Sequence, residues 1–399
     1  MPAGFSVGPS GAEKGKVEGF CYGSMMKIGL VSPYDYSHPG GVIYHISYLA
    51  HHFHMMGHSV KIIAPVRRKS VRYFDEEVTA VGRPIPIPYG GTTARIALSP
   101  WLPYQVRRVL DREEFQIIHL HEPFIPMLCL STLIESKSIN VGTFHACHEK
   151  SSMYWLNRST MRKLGAKLHG KITVSKPARD YISKYLTADY RIIPNGVDIH
   201  LFYPDGPIMD EFKDDRLNIL FVGRLEERKG VGDLIRACSL VKKDFPNFRL
   251  IIAGPGLMLR LQYKTMAKML LNDRAVFTHY VTFDDLPKLY RTADIFCAPA
   301  TGGESFGMVL LEAMASGTPV VATDIPGYAS VVTHGQEGLL ARPHNPRSVA
   351  DCLLKLLNDK QLRLSMAERG VATANKYCWE NVSRQVVDYY TSISSNLKG

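Results

Sequence analysis

Short apolar runs rich in β-branched residues alternate with helical stretches along most of the chain. One series of runs lies at 28–31, 60–64, 117–120, 141–144, 172–174 and 192–193, and a second lies at 219–222, 250–253, 276–278, 295–298, 320–322 and 339–340. Continuously apolar runs are typical of parallel strands that helices cover on both faces. The pattern therefore predicts an α/β fold with two doubly wound, Rossmann-like domains in tandem.

The boundary between the predicted domains lies where the series of strands restarts. It restarts after Pro194-Asn195-Gly196, and 399 residues are enough for two domains of ordinary size. We assign 26–195 to the N-terminal domain and 196–375 to the C-terminal domain, and we expect a C-terminal helix, about 376–399, to pack back on the first. Residues 1–25 are rich in Gly, Ser and Lys without periodicity, so we expect a disordered extension there.

Positive charge is concentrated in the N-terminal half. Residues 1–195 hold 24 Lys and Arg against 14 Asp and Glu, a net charge of +10, whereas 196–399 hold 24 against 23, a net charge of +1. Two basic groups are visible: Arg67, Arg68, Lys69 and Arg72, and then Arg158, Arg162, Lys163, Lys167 and Lys171 at helical spacing. A solvated face explains most such groups, and the alternatives are an anionic membrane surface or nucleic acid. The sequence shows no recognition helix or aromatic platform, so we expect no nucleic-acid partner.

Cysteine usage and hydropathy bear on the location of the protein. The seven cysteines are scattered, odd in number and free of any Cys-x-x-Cys pair, which argues against a disulfide framework and against a zinc ribbon. The sequence shows neither an apolar run long enough to span a membrane nor a secretory signal. We therefore expect a cytoplasmic protein.

The stretch 302–317, GGESFGMVLLEAMASG, places Glu304 in a Gly-rich loop and Glu312 inside an apolar helix. Eight residues of helix rise about 12 Å. The two acids therefore suit the ends of an elongated ligand whose anionic centre faces the N–H groups near 305–308. A nucleotide diphosphate sugar has this shape. The alternative is an ordinary acid at a helix N-terminus followed by a solvated glutamate, although the apolar neighbours of Glu312 favour a partnered carboxylate.

Further candidate residues follow predicted strands, where sheets of this kind bind ligands. Gly40-Gly41 opens a helix after the first strand and suits either a tight turn or backbone contact with a phosphate. Arg224 and Lys229 follow the strand 219–222, and they represent either surface charge or a clamp for a pyrophosphate.

Histidines end two predicted strands, His119 and His121 on one and His145 on another. No third ligand is spaced to complete a metal site, so we interpret His119 and His121 as core or supporting residues. The chain has no Asp-x-Asp triplet, so cations and helix termini would have to hold a diphosphate without a metal ion. It also lacks Gly-x-Gly-x-x-Gly and the P-loop pattern, which disfavours dehydrogenases and kinases. We expect no metal and no cofactor apart from a nucleotide-sugar co-substrate.

Several motifs occur together in one order along the chain. They are Pro33-Tyr34, Pro39-Gly40-Gly41, 84–89 (PIPIPY) with Ala94-Arg95, 119–123 (HLHEP), 143–145 (TFH), 194–198 (PNGVD), Gly223-Arg224 with Lys229-Gly230, 302–307 (GGESFG) and Glu304-x7-Glu312. With them the chain resembles the family 4 retaining glycosyltransferases of GT-B fold, and within that family it looks like the bacterial phosphatidylinositol α-mannosyltransferases. The resemblance runs from about Met26 to the C-terminal helix. It implies two Rossmann-like domains that face an interdomain cleft.

The resemblance implies roles in donor binding, catalysis and acceptor binding at the matching positions. The implied donor contacts are Gly41, Arg224 and Lys229 on the diphosphate, Glu304 on the transferred sugar, Glu312 on the ribose, and Ser305, Phe306, Gly307 and Asp284, the last in the loop that holds the base in this family. The implied catalytic residues are His145, over the sugar near the anomeric carbon, with Glu304, Arg224 and Lys229. The implied acceptor-binding residues are Tyr34, Tyr89, Arg95 and Lys150.

The resemblance also implies an activity, the retaining, metal-independent transfer of mannose from GDP-mannose to a membrane lipid such as phosphatidylinositol. The location follows from the residues. The basic N-terminal half, together with the lack of a spanning apolar run, favours reversible attachment of the N-terminal domain to anionic lipid on the inner face of the cell membrane. Gly90, Phe124 and Ala146 replace polar residues of the mannosyltransferases. The alternatives are a UDP-sugar donor, another lipid or soluble acceptor, and a GT-B sugar-nucleotide epimerase.

Overall fold

The computed structural model describes residues 25–67, 74, 76–89, 92–147, 158–278 and 281–398. These residues form two compact units. Unit 1 ends at Asn195 and resumes at Trp379, and unit 2 runs from Gly196 to Cys378. Apart from Met25, the predicted extension lies outside the described residues. Among the described helices, none combines the length and the apolar composition that crossing a membrane requires.

Unit 1 is built on a parallel sheet of seven strands with a separate hairpin. In chain order its elements are β1 (Lys27–Val31), α1 (Gly41–Met55), β2 (Ser59–Ala64), β3 (Val78–Ala80), β4 (Pro84–Tyr89), β5 (Thr92–Ala97), α2 (Leu102–Glu113), β6 (Ile117–His121), α3 (Leu128–Glu135), β7 (Ile139–Phe144), α4 (Arg158–Gly165), β8 (Gly170–Thr173), α5 (Lys176–Ile182), β9 (Arg191–Ile192) and, from the end of the chain, α13 (Trp379–Lys398). The strand order is β3-β2-β1-β6-β7-β8-β9, and β4 pairs with β5 antiparallel.

Both faces of this sheet are covered by helices. Ile28 and Leu30 of β1 pack in a core that α1 and α13 close, with Trp379 and Tyr390 of α13 fully buried. Side chains of β6, among them Leu120, pack in a second core with α2 and α3. Burial on both faces accounts for the continuous apolar composition of the strands.

Unit 2 is built on a parallel sheet of six strands. In chain order its elements are β10 (Leu217–Val222), α6 (Val231–Asp244), β11 (Phe248–Ala253), α7 (Leu257–Leu271), β12 (Ala275–Thr278), α8 (Leu286–Thr292), β13 (Ile295–Ala298), α9 (Met308–Ala315), β14 (Val320–Thr323), α10 (Pro326–Ala329), β15 (Gly338–Ala341), α11 (Pro346–Asn358) and α12 (Lys360–Lys376), with short 3₁₀ helices at Asp210–Phe212, Glu227–Lys229 and Asn272–Arg274. Two buried cores lie against the sheet, and successive side chains along a strand belong alternately to one core and to the other.

The order of strands locates the candidate sites. In unit 2 it is β12-β11-β10-β13-β14-β15, so the chain reverses direction across the sheet between β10 and β13. In unit 1 the same reversal lies between β1 and β6. Ligands of open α/β sheets bind beyond the carboxyl ends of the strands at this point. The two parallel sheets confirm the predicted fold class of doubly wound α/β domains.

Candidate functional site

Two loops meet beyond the carboxyl ends of β10 and β13 in unit 2. The first follows β10 and ends in the 3₁₀ helix Glu227–Lys229, and the second follows β13 and leads to α9. The loops are tied together because the Thr301 N–H donates a hydrogen bond of 2.8 Å to the Arg228 carbonyl. Glycines permit the close approach of a third segment, since a Cβ on Gly327 would lie 2.1 Å from the Glu304 carbonyl oxygen.

A network of charged side chains links these loops. Glu304 Oε1 accepts from Lys229 Nζ at 2.8 Å and from Arg228 Nη1. Arg228 Nη2 also lies 2.8 Å from Glu226 Oε2, and Arg224 Nε lies 3.2 Å from Glu226 Oε1. Only 14% of the Glu304 side chain and 15% of the Lys229 side chain are exposed. We call these five residues, which carry three positive and two negative charges, the donor-side network.

The donor-side network includes residues that sequence reasoning missed. The structure brings the predicted residues Arg224, Lys229 and Glu304 into one network, and it adds Arg228 and Glu226. Their only signal in the sequence was their place between Arg224 and Lys229. Charged residues are common in exposed loops, so that signal alone did not distinguish them.

The network keeps Glu304 ionised. Burial acts to raise the pKa of this carboxyl group, but the positive charges of Lys229 and Arg228 and their hydrogen bonds outweigh burial, so the pKa is lowered. At neutral pH, Glu304 is therefore a carboxylate that can accept hydrogen bonds from hydroxyl groups.

The second predicted acid, Glu312, has a different environment on α9. Tyr290 donates a hydrogen bond of 2.7 Å from its hydroxyl group to Glu312 Oε2. Burial raises the pKa of Glu312, and the hydrogen bond from Tyr290 offsets only part of that effect. Two acids eight positions apart in sequence thus differ in the direction of their pKa shifts.

The remaining predicted donor residues lie around α9 and before α8. Phe306 is buried, and Gly307 precedes α9 with φ 109°, a left-handed conformation that favours glycine. Ser305 lies in the same loop, and Asp284 is exposed in the segment before α8. In unit 1, Gly41 is the first residue of α1.

A second polar cluster lies in unit 1, beyond β6 and β7. His121 Nδ1 and His145 Nε2 are 3.0 Å apart, and the ring of His45 from α1 meets the ring of His145 edge-on with 4.8 Å between centroids. The Asn195 side-chain oxygen lies 2.9 Å from His45 Nδ1. We call His45, His121 and His145 the histidine trio. The sequence analysis found no third ligand spaced to complete a metal site, and the fold brings His45, which that analysis did not single out, beside His121 and His145.

The histidine trio is neutral at physiological pH. Burial lowers the pKa of His45 to about 4 and lowers the pKa values of His121 and His145 well below the usual range. The Glu122 carboxylate accepts the backbone N–H of His145 at 2.6 Å and that of Ala146 at 2.8 Å, and burial raises its pKa to about 7. Glu122 thereby fixes the backbone that carries His145.

The other strand-end histidine, His119, belongs to the core. It is fully buried, and its ring nitrogens lie 2.5 Å from the Tyr390 hydroxyl group and 2.6 Å from Thr143 Oγ1. Because both nitrogens have partners, His119 holds α13 against β6 and β7.

The predicted acceptor residues are only partly described. Tyr34 forms an isolated bridge with Ile96 of β5, and the carbonyl of Arg95 accepts the Asp35 N–H at 2.8 Å, so Tyr34 and Arg95 lie close together. The backbone of Tyr89 ends β4, but its side chain lies outside the described part of the structure, as does all of Lys150.

The predicted basic groups are also described only in part. Of the first group, Arg67 is described, whereas Arg68, Lys69 and Arg72 are not. The second group does not share one helix, because α4 ends at Gly165. Lys167 and Lys171 lie beyond it and donate hydrogen bonds to the Ile134 and Leu168 carbonyls. Their helical spacing in the sequence was therefore misleading.

Comparisons with known proteins find similarity along both units of the chain. The model "Glycosyltransferase Family 4" matches residues 39–201, and "Glycosyl transferases group 1" matches residues 209–372. The chain is 35% identical to the phosphatidyl-myo-inositol mannosyltransferase of Mycolicibacterium smegmatis, over 92% of this chain and 94% of that protein.

Solved structures share the fold. A glycosyltransferase from Rickettsia africae has a TM-score of 0.74 at 18% identity, over 93% of this chain and 99% of that one. Anabaena HepE, solved with UDP and glucose, has a TM-score of 0.73 at 20% identity, over 92% of this chain and all of that one. These likenesses show that both units together form a GT-B fold.

Proposed function

The chain belongs to the family 4 glycosyltransferases, and we propose that it is a retaining α-mannosyltransferase that transfers mannose from GDP-mannose to phosphatidylinositol. The observation that carries the proposal is the donor-side network at the strand-order reversal of unit 2, with an ionised Glu304 between two cations. The full-length similarity to a mannosyltransferase that acts on phosphatidyl-myo-inositol supports the choice of sugar and acceptor.

In the proposed donor complex, the network exchanges partners. Arg224 and Lys229 bind the diphosphate, which replaces carboxylates as the partner of these cations. Glu304 then accepts hydrogen bonds from sugar hydroxyls, and Glu312 accepts them from the ribose. Ser305, Phe306 and Gly307 bring the N-terminal end of α9 to the phosphates, and Asp284 lies beside the base.

Catalysis then depends on stabilising the leaving diphosphate. Arg224 and Lys229 neutralise charge that develops as the glycosidic bond breaks, and His145 contacts the sugar near the anomeric carbon. The acceptor oxygen bonds to the anomeric carbon on the face from which the diphosphate departs, and the departing diphosphate takes the proton of the acceptor hydroxyl group. Attack on that face retains the configuration. The residues that bind the diphosphate are cationic, so we propose that transfer proceeds without a divalent metal.

We assign the acceptor to unit 1, where Tyr34, Arg95, Tyr89 and Lys150 lie in sequence. An additional feature supports contact with a membrane that contains anionic lipid. Trp101, at the start of α2, is 71% exposed and Tyr104 is 61% exposed, and Arg108 lies over the Tyr104 ring. Exposed aromatic and basic side chains on one amphipathic helix suit the interface of a bilayer, here the inner face of the cell membrane.

A transfer assay with purified chain tests the proposal. Radiolabelled GDP-mannose and vesicles containing phosphatidylinositol should yield a labelled lipid, and Glu304→Ala should abolish transfer while the variant still unfolds in one cooperative transition. GDP-mannose should also raise the melting temperature of the parent chain, because a ligand of the native state stabilises it. Stabilisation by UDP-sugars alone would overturn the donor assignment, and release of an altered nucleotide sugar without acceptor would identify an epimerase.

One observation favours a second candidate, a different lipid headgroup as acceptor. Phe124 occupies a position that is polar in the mannosyltransferases it resembles, and it is buried beside Phe144 with 5.8 Å between ring centroids. Its side chain therefore fills the core of unit 1 and offers no hydrogen bond to an inositol. Comparing phosphatidylinositol with phosphatidylglycerol vesicles in the same assay separates the two acceptors.

A further inference from the structure

The histidine trio contains more nitrogen ligands than the proposed transfer uses. One ring nitrogen from each of His45, His121 and His145 lies within 4.8 Å of one from each of the others. Only His145 has a role in the proposed reaction. The His121 ring has one nitrogen, Nδ1, beside His145 and a second, Nε2, that is buried without a hydrogen-bond partner among the described residues.

The trio has the chemistry of a metal site. A divalent zinc ion binds neutral imidazole nitrogens at about 2.0–2.1 Å, which places ligand nitrogens about 3.4 Å apart in a tetrahedral site. His121 Nδ1 and His145 Nε2 are already 3.0 Å apart. The ligand nitrogens lie within 4.8 Å of one another, so a movement of at most about 1.4 Å by the His45 ring would bring all three to that spacing.

Neighbouring groups orient the ligands as the partners of metal-bound histidines do. The side-chain oxygen of Asn195 accepts the N–H of His45 Nδ1. The proton of this ring is then on Nδ1, so Nε2 has a lone pair that can bind a metal ion. Glu122 accepts the backbone N–H of His145 and so fixes the main chain that carries this ligand. Both partners lie in unit 1, so the arrangement does not depend on unit 2.

We propose that His45, His121 and His145 form an inhibitory binding site for Zn²⁺, with the fourth position open to water or a ligand oxygen. Occupancy would engage His145 and so prevent its contact with the sugar. The binding part of this proposal stands on unit 1 alone, whereas the inhibitory part rests on the proposed function.

Co²⁺ titration of the full chain tests binding directly. We expect one equivalent of Co²⁺ to give the visible absorption of a tetrahedral site, and Zn²⁺ to abolish it by displacement. His45→Gln should weaken binding at least tenfold, and Asn195→Ala about 10–100-fold, as other outer partners do. His54→Ala is the matched control, because His54 is exposed on the same helix and should leave binding unchanged.

Three results would overturn the site. The first is that Co²⁺ gives no tetrahedral spectrum. The second is that the parent chain, His45→Gln and His121→Asn bind Co²⁺ with equal affinity. The third is a thiolate charge-transfer band that disappears in Cys147→Ser, which would show that a cysteine binds the ion. Melting temperatures of the variants establish that each is folded.

Inhibition is measured separately. Zn²⁺ should inhibit mannose transfer in the parent chain and in His54→Ala, and inhibition should need at least tenfold more Zn²⁺ in His45→Gln, relative to its own metal-free rate. If Co²⁺ binds as expected but no transfer occurs with any donor, the proposed function fails and the metal site stands. If transfer occurs and Zn²⁺ inhibits all variants equally, the inhibitory role fails.

Discussion

The donor-side network of unit 2 and the histidine trio of unit 1 show how partners decide the charge of buried groups. Both lie beyond the carboxyl ends of parallel strands near a reversal of strand order. Lys229 and Arg228 overcome burial and hold Glu304 as a carboxylate, whereas the trio has only neutral partners on its rings and loses its charge. The fold places both groups where sheets of this kind bind ligands, and the neighbouring charges then decide whether each buried group is ionised or neutral.

The same contrast exists within unit 2. Glu304 and Glu312 belong to one sequence motif, yet the pKa of Glu304 is lowered by cations and the pKa of Glu312 is raised by burial next to a tyrosine. The two acids are therefore expected to respond differently to substitution and to pH.

Among the cations of the donor-side network, the largest effect is expected from removing Lys229, which contacts Glu304 directly. Lys229→Ala should lower kcat/KM for transfer about 10²–10³-fold, as the loss of other groups that stabilise a leaving oxyanion does. Arg236→Ala is a matched control, because Arg236 pairs with Asp233 on the exposed side of α6. Steady-state kinetics with both variants measure the difference, and a Lys229→Ala enzyme with the parent rate would contradict the donor assignment.

Arg228→Ala should have a smaller effect. Glu304 keeps Lys229 as a partner in this variant, so we expect about a tenfold loss in kcat/KM, equal to about 1.4 kcal/mol. Arg228→Lys should recover part of the loss because it restores the charge but not the link to Glu226. Equal losses in Arg228→Ala and Lys229→Ala would instead show that the network acts as a unit.

The sequence predicted the features that are local or repeated. Its apolar runs revealed the parallel strands because both faces are buried. Glu304 stood out because it lies in a Gly-rich loop eight residues before Glu312, and Arg224 and Lys229 stood out because they follow a strand. The hairpin β4–β5 was missed, since alternate prolines in β4 are unusual in strands.

Contacts between distant segments could not be predicted. His45 lies on α1 with no feature that distinguishes it from His51 or His52, and only the packing of α1 on the sheet brings it to His145. Tyr290 reaches Glu312 in the same way, from α8 to α9. Such pairs depend on tertiary packing, which spacing along one sequence does not encode.

Glu312 gives the third prediction, an acid-sensitive donor affinity. Its charged form accepts hydrogen bonds from both ribose hydroxyls, so protonation should weaken binding, and its raised pKa places this loss above the ordinary glutamate value of 4.5. Tyr290→Phe removes a hydrogen bond that lowers the pKa, so the loss should begin at higher pH. The hydrogen bond itself is worth about 0.5–1.5 kcal/mol, which bounds the expected weakening at neutral pH to about 2–12-fold.

Calorimetric titration of GDP-mannose between about pH 5 and 8 measures this effect. Glu312→Gln is the control, because its side chain does not titrate and its affinity should not vary with pH in this range. An identical pH profile in the parent chain and in Glu312→Gln would remove Glu312 from the donor site.

The smallest effect on transfer is expected at Glu113, an acid paired with cations outside the predicted site. Its Oε2 lies 3.0 Å from Lys61 Nζ and 3.2 Å from Lys27 Nζ, and its Oε1 lies 2.8 Å from Arg112 Nε. Burial acts to raise the pKa of Glu113, but these partners outweigh burial and lower the pKa to about 2. Glu113 thus resembles Glu304 in its charge environment and differs from it in having no role in the proposed reaction.

Glu113→Gln should leave kcat/KM unchanged and lower the stability of unit 1 by about 1–3 kcal/mol, between the ranges for exposed and buried pairs. Because the folded-state pKa is depressed, the stabilisation is present above the ordinary value of 4.5 and disappears as pH falls towards about 2. The difference in melting temperature between parent and variant should therefore be constant from pH 7 to about 5 and shrink below that. A difference that grows on acidification would contradict this account of stability, and a loss of transfer in Glu113→Gln would contradict the placing of Glu113 outside the reaction.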